Sequence, residues 1–366
     1  MKATIVVSSI SPGSGLSKYV LSLTKLLSDS GHSVSVITTH SDDVSYEYDM
    51  LKKCGNVDHH HFGNLSKIRK YISVVSTIRQ TKPDIIINNY NAVLQYVLPF
   101  ISRETKVVHI LHNDTEDFYR IGAINGKHVS GWIAPTQAIA ENFNRFTSGK
   151  YESRVHIIPH GVEAPVINNR KEKPSERLEM IYVGVLYEHK GVKILPAILH
   201  KLREAGHNFH FTIVGKGILR DWLEENLKTF IKNGSVEFTG VVPSETVYEL
   251  QSKADVFLYP THLDAFGLVI AEAMINGTVP VITHLKGITD NLVDDGINGF
   301  LIEQDDVDGF VEKISLLIKD KRLLERMKTE ATQKAENKFS MAEMARNYLN
   351  YLNNLVQKQQ WTTGSK

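Results

Sequence analysis

The sequence predicts an α/β protein built from two doubly wound, Rossmann-like domains. Three observations carry this expectation. The chain has 366 residues, more than one typical domain holds. Both halves alternate short apolar runs with glycine-bearing loops and helical stretches, the pattern of parallel sheets. Between the halves, residues 164–177 are rich in Lys, Glu, Asn and Pro and poor in apolar side chains, as a linker is. The expected domains are therefore 1–165 and 178–338. Lys plus Arg is 42 against 41 Asp plus Glu, so charge gives no reason to expect a nucleic-acid partner. Cys54 is the single cysteine, which excludes an intrachain disulfide and fits a reducing compartment. No apolar run reaches the roughly 18 residues of a membrane span, and the first one is too short for a signal peptide. A cytoplasmic protein is expected.

In the first half, residues 3–8 read as a buried strand. Ser11-Pro-Gly-Ser-Gly-Leu16 follows, then a helix to about residue 30 and a strand over 34–38. Glycines at a strand-to-helix turn suit close approach of a phosphate, although many such turns use glycine for geometry alone. Residues 40–63 read as irregular. His59, His60 and His61 are adjacent, and consecutive side chains point to different faces, so no metal site is expected there. Residues 64–82 read as an amphipathic helix with Leu65, Ile68, Ile72, Val75 and Ile78 on its apolar side. Lys67, Arg69, Lys70, Arg79 and Lys82 give it five positive charges and no acid, which fits either a solvated face or docking to anionic lipid headgroups. Residues 84–88 and 106–111 read as strands, with His112 just beyond the second, where ligand crevices form. Thr136 is a plausible N-cap.

In the second half, strands are expected at 179–184, 209–214, 236–239, 255–259 and 279–283, with helices between them. Lys190 precedes Gly191 in the loop after the first of these strands, where a cation can neutralise an anionic ligand. Residues 266–276 read as a helix with no polar face except Glu272, a carboxylate costly to bury without partners. Glu272 is either a structural cap or a ligand for sugar hydroxyls. Asp264 stands eight residues earlier, and the amides of Phe266, Gly267 and Leu268 are expected to lie free between the two acids as an anion nest.

The stretch Asp264-Ala-Phe-Gly-Leu-Val-Ile-Ala-Glu-Ala-Met274 resembles the Glu-x-Phe-Gly-x-x-x-x-Glu-Ala motif of the retaining glycosyltransferases of family 4. The resemblance continues through Pro159-His-Gly-Val162, where Asn usually replaces His160, and through residues 287–301, where Glu usually stands at Asn291. It implies the GT-B fold, two Rossmann-like domains facing across a cleft, with a last helix near 341–359 returning to the first domain. It implies transfer of a sugar from a nucleotide diphosphate sugar, with a UDP-sugar the expected donor, to a glycan or lipid-linked acceptor hydroxyl, without metal or cofactor and with retention. By the same resemblance His112, Lys190 and Asp264 are catalytic. Gly15, Lys190, Asp264, Phe266, Gly267, Leu268 and Glu272 bind the donor. The implied setting is bacterial surface polysaccharide or glycolipid synthesis at the inner face of the membrane. The chain departs from the family at Asp264, one methylene shorter than Glu, and at Val185, where an Arg is usual. His189 and Lys216 are the candidates to replace that charge. A different class, a non-catalytic GT-B subunit or nucleotide-sugar binding protein, is favoured by these departures and opposed by Lys190, Glu272 and His112.

Overall fold

The structure, a computed structural model, describes residues 1–12, 14–40, 43–163 and 177–363, with the side chains of 358–363 excepted. The linker expected at 164–177 lies almost wholly outside the described residues, as does Gly13 of the first glycine loop. The chain divides into two compact units, residues 1–160 with 344–366, and residues 161–343.

The first unit is a parallel sheet of β1 (Lys2–Val7), β2 (Ser33–Thr38), β3 (Val57–His61), β4 (Ile85–Asn89), β5 (Lys106–Ile110), β6 (Gly131–Ala134) and β7 (Val155–Ile157), in the order β3-β2-β1-β4-β5-β6-β7. The order reverses between β1 and β4, and a doubly wound sheet opens its ligand crevice at that reversal, beyond the strand ends. Ile5, Val6 and Val7 of β1 and Ile85, Ile86 and Ile87 of β4 are fully buried, as continuous apolar runs in a parallel sheet should be. Residues 40–63 are not irregular as expected. They hold the helix Val44–Lys52 and the edge strand β3. The strand escapes pattern reading because three of its five residues are histidines.

The second unit is a parallel sheet of β8 (Leu178–Val183), β9 (Phe209–Val214), β10 (Val236–Gly240), β11 (Val256–Tyr259), β12 (Val279–Thr283) and β13 (Phe300–Ile302), in the order β10-β9-β8-β11-β12-β13. Its order reverses between β8 and β11. The helix Met341–Thr363 begins in this unit and belongs to the first from Met344, where Tyr348 and Leu352 are fully buried.

The helix expected at 64–82 is Lys67–Thr81, but of its expected apolar side only Ile78 is buried. Lys70, Val74, Thr77 and Ile78 face inward, while Ile68 and Ile72 are 70% and 64% exposed. The Lys70 stem can cover apolar surface at the helical spacing of Val74 and Thr77, which turns Ile68 and Ile72 outward.

Candidate functional site

The second unit gathers its site residues at the β8–β11 reversal. The loop after β8 carries Lys190, and the loop after β11 carries Asp264. Gly191 lets the two loops touch through their backbones: it has a φ of 65°, and a Cβ there would lie 1.6 Å from the Pro260 carbonyl oxygen. Only glycine fits both constraints. The His262 amide also donates to the His189 carbonyl at 2.9 Å.

Lys190 and Asp264 are joined. The Lys190 ammonium donates to Asp264 Oδ2 at 3.0 Å and to the Leu263 carbonyl at 2.8 Å, and lies 5.4 Å from the Tyr259 ring centre. Tyr259, which pattern reading treated only as strand, donates its hydroxyl to the same Oδ2 at 3.0 Å. Asp264 Oδ1 accepts the amides of Ala265, Phe266 and Gly267 at 2.8, 3.3 and 2.8 Å. Burial pushes the Asp264 carboxyl up, but Lys190, Tyr259 and the Ala265 amide together hold it below its usual value.

This corrects the expected nest. The amides of Phe266 and Gly267 are taken by Asp264 itself, because the short Asp side chain folds back over its own loop. The amides of Leu268 and Val269, at the start of the helix Leu268–Ile275, make no hydrogen bond among the described residues. The free nest therefore begins at Leu268, two residues later than expected. Phe266 is a core anchor, buried and edge-on to Phe339 at 5.8 Å. Gly267 is held at φ 84°, where a Cβ would crowd Ile270 and Leu292. Glu272 lies in the second turn of the helix, 7% exposed.

Val185 leaves no cation where Arg is usual in the family. Burial and neighbouring Lys190 push the His189 imidazole below its usual value, which favours the neutral ring. Lys216 is exposed on a loop whose carbonyl accepts the Leu186 amide at 2.9 Å, beside Val185.

The first unit places Gly15 and His112 at the carboxyl edge of its own sheet. Gly15 is the first residue of the helix Gly15–Asp29, exposed, with Ser14 as N-cap. His112 bonds through Nε2 to Asn89 Oδ1 at 2.9 Å, so with that amide orientation Nε2 carries the proton. Asn89, fully buried at the end of β4, is a positioning residue that no spacing rule signals. Tyr19 stands edge-on to His112 at 4.8 Å and lies 4.5 Å from His160. Burial, with His160 and His109 nearby, pushes His112 far below its usual value, so the ring is neutral.

At the edge of the same sheet Glu47, His59 and His61 converge. His59 and His61 share a face because strand side chains two apart do, a point that counting consecutive positions misses. Glu47 is fully buried and accepts the Ile10 amide at 2.9 Å and the Thr38 hydroxyl at 2.9 Å. Both imidazoles lie 3.0 Å from that hydroxyl. The Gly63 amide donates to His61 Nε2 at 3.1 Å, which leaves the proton of the neutral ring on Nδ1, facing Thr38 and Glu47. A cation bound by Nδ1 would have to displace that proton and reverse the Gly63 bond. The cluster reads as a hydrogen-bonded tie between β2, β3, the helix Val44–Lys52 and the loop after β1.

Comparison with known proteins agrees with this geometry. Residues 164–334 match the family of glycosyl transferases group 1, and residues 13–164 match glycosyltransferase family 4. A phosphatidyl-myo-inositol mannosyltransferase from Mycolicibacterium smegmatis is 27% identical over 328 residues, covering 85% of this chain and 83% of the relative. The capsular polysaccharide biosynthesis glycosyltransferase CapM of Staphylococcus aureus is 29% identical over 179 residues, 47% of this chain and 46% of its own length. The crystal structure of Anabaena HepE in complex with UDP matches the fold with a TM-score of 0.79 over 97% of this chain and 100% of that one, at 20% identity.

Proposed function

Since the chain belongs to the family 4 glycosyltransferases of GT-B fold, we propose that it transfers a sugar, with retention and without a metal, from a UDP-sugar to a glycan or lipid-linked acceptor in surface polysaccharide or glycolipid synthesis. The observation that carries the donor reading is the Lys190 ammonium held by Asp264, whose other oxygen takes the Gly267 amide at a helix start where the Leu268 and Val269 amides are open. An ammonium and oriented amides are what a departing diphosphate requires, and they supply it without a metal. Glu272, one turn further along, holds the donor ribose. Asp264 keeps Lys190 in place and shapes the loop, and Gly15 offers a helix start in the first unit. His112 lies beside the reacting sugar. Among the described residues no carboxylate stands out as a covalent nucleophile, which favours same-face attack with the leaving phosphate taking the acceptor proton. The uridine nucleotide and the surface-glycan setting are supported by what HepE binds and what CapM makes.

The test is a thermal-shift series with UDP-, GDP- and ADP-sugars in the presence of chelator. A UDP-sugar at 100 times its Kd stabilises the protein by about 2.7 kcal/mol. Glu272→Gln keeps the shape and weakens the acceptor, so the donor Kd rises roughly ten- to a hundred-fold while the unliganded melting temperature changes little. A large fall in melting temperature with donor affinity intact would assign Glu272 a structural role instead. Shifts that vanish with chelator and return with manganese would overturn the metal-free reading.

A lipid surface is the second element of the proposal. No helix among the described residues is long and apolar enough to cross a membrane. The outward face of the helix Lys67–Thr81 instead joins Tyr96 and Phe100, 50% and 63% exposed, around an apolar groove of about 790 Å³. Arg79 lines it, and Lys67 and Arg69 are exposed on the same helix. Exposed isoleucines and aromatics ringed by cations suit anionic headgroups. Sedimentation with phosphatidylglycerol vesicles is expected to carry the protein down at low salt, and Ile72→Glu with Phe100→Glu to release it. Equal binding by that double variant would remove this face from the proposal.

A further inference from the structure

The first unit carries an aromatic feature that neither the donor reading nor the lipid face uses. Tyr90 is the residue immediately after β4, at the β1–β4 reversal where a doubly wound sheet opens its crevice. Its backbone is left-handed, with a φ of 54°. Few residues other than Gly, Asn and Asp accept that region, and a bulky aromatic held there carries strain of the kind that gathers at binding sites. The ring is not buried in the core. It lies flat on Phe118, with centroids 3.6 Å apart and planes 10° from parallel. Phe118 comes from the helix Glu116–Ala123, six residues after His112, and both rings are only half-buried. The residue before Tyr90 is Asn89, which holds His112. The stacked pair thus joins the connections after β4 and β5, the two that carry Asn89 and His112.

We propose that Tyr90 and Phe118 form a rigid aromatic platform on which a pyranose ring of the acceptor stacks beside His112. A pyranose offers one face of C–H bonds with little polarity, and an aromatic face with its negative quadrupole attracts them while tolerating hydroxyls at the rim. Phe118 backs one face of the Tyr90 ring and stiffens it, so the platform offers a single ring face to the sugar. The left-handed turn is what brings the Tyr90 ring over Phe118. The assignment rests on the glycosyltransferase reading only for the word acceptor, since the platform binds a sugar ring whether or not transfer follows.

The experiment is saturation-transfer NMR on the full chain with the methyl pyranosides of glucose, galactose, mannose and N-acetylglucosamine, alongside thermal shift with UDP. The wild-type chain is expected to pass saturation to the ring C–H protons of at least one pyranoside. Tyr90→Gly removes the ring at a position whose φ favours glycine, and Phe118→Leu removes its partner. Each is expected to lower that signal about five-fold while the UDP shift stays within error. No signal from any pyranoside with the wild-type chain, or an equal signal from both variants, overturns the platform. Loss of the UDP shift with the sugar signal intact overturns it too and gives the rings to the nucleobase. A sugar signal from a chain that no nucleotide sugar stabilises keeps the platform and refutes the donor reading.

Discussion

Lys190→Met will lower transfer by at least about a hundred-fold, the usual loss when a group that stabilises developing charge is removed. It will also destabilise the second unit by about 3 kcal/mol, the lower end for a buried pair stripped of one partner. The lower end applies because Asp264 keeps the Tyr259 hydroxyl and the amides of Ala265 and Gly267 after the ammonium has gone. The two losses have different causes and can be separated. Asp264→Asn combined with Lys190→Met removes both charges, so the unfolding free energy should return most of the way to wild type. Activity should not return, because the ammonium itself is still missing. Recovery of transfer in the double variant would reduce Lys190 to a structural partner of Asp264.

The first unit will lose stability steeply in mild acid. Burial pushes the imidazoles of His109 and His160 down to about 3, and holds His112 well below its usual value with the help of its two neighbours. The folded chain therefore refuses protons that the unfolded chain accepts near pH 6.5. Stability is intact above that value and falls as the pH drops toward 3. A shift of that size corresponds to roughly 3–5 kcal/mol for each ring, so two rings alone are comparable with the whole stability of a domain. Urea unfolding midpoints followed from pH 7 to pH 4 will show the decline. His109 has no hydrogen-bond partner on either ring nitrogen among the described residues, so His109→Leu is expected to flatten it without loss at pH 7. An unchanged slope in that variant would remove His109 from the acid response.

Most of the two sheets is legible in the sequence because buried parallel strands announce themselves as unbroken apolar runs. Val279–Thr283 and Phe209–Val214 are examples whose bounds match the structure. The edge strand β3 is not legible, because a strand covered on one side can alternate histidines and keep no apolar signature. Lys190 and Asp264 are visible as chemistry, but not as a pair: they are 74 residues apart, and their meeting depends on the backbone contact that Gly191 permits. The same limit hides Asn89 behind His112, and Glu47 behind His59 and His61. The direction of the helix Lys67–Thr81 fails for another reason. Its stripe of isoleucines is a sound amphipathic signal, and nothing local tells an inward stripe from one turned outward, with Lys70 taking the buried place.

The last helix has a consequence for how the protein is made. Tyr348 is fully buried in the first unit, and its hydroxyl meets that of Tyr19, with Met344 and Leu352 buried beside it. Residues 1–160 leave the ribosome first, yet the wall against Tyr19 arrives nearly two hundred residues later. At translation rates of about 5–20 residues per second, the leading unit waits on the order of ten seconds or more with that apolar surface uncovered. During this interval that surface is open to misassembly, and a ribosome stalled before residue 344 would release a unit without the side chains that cover it.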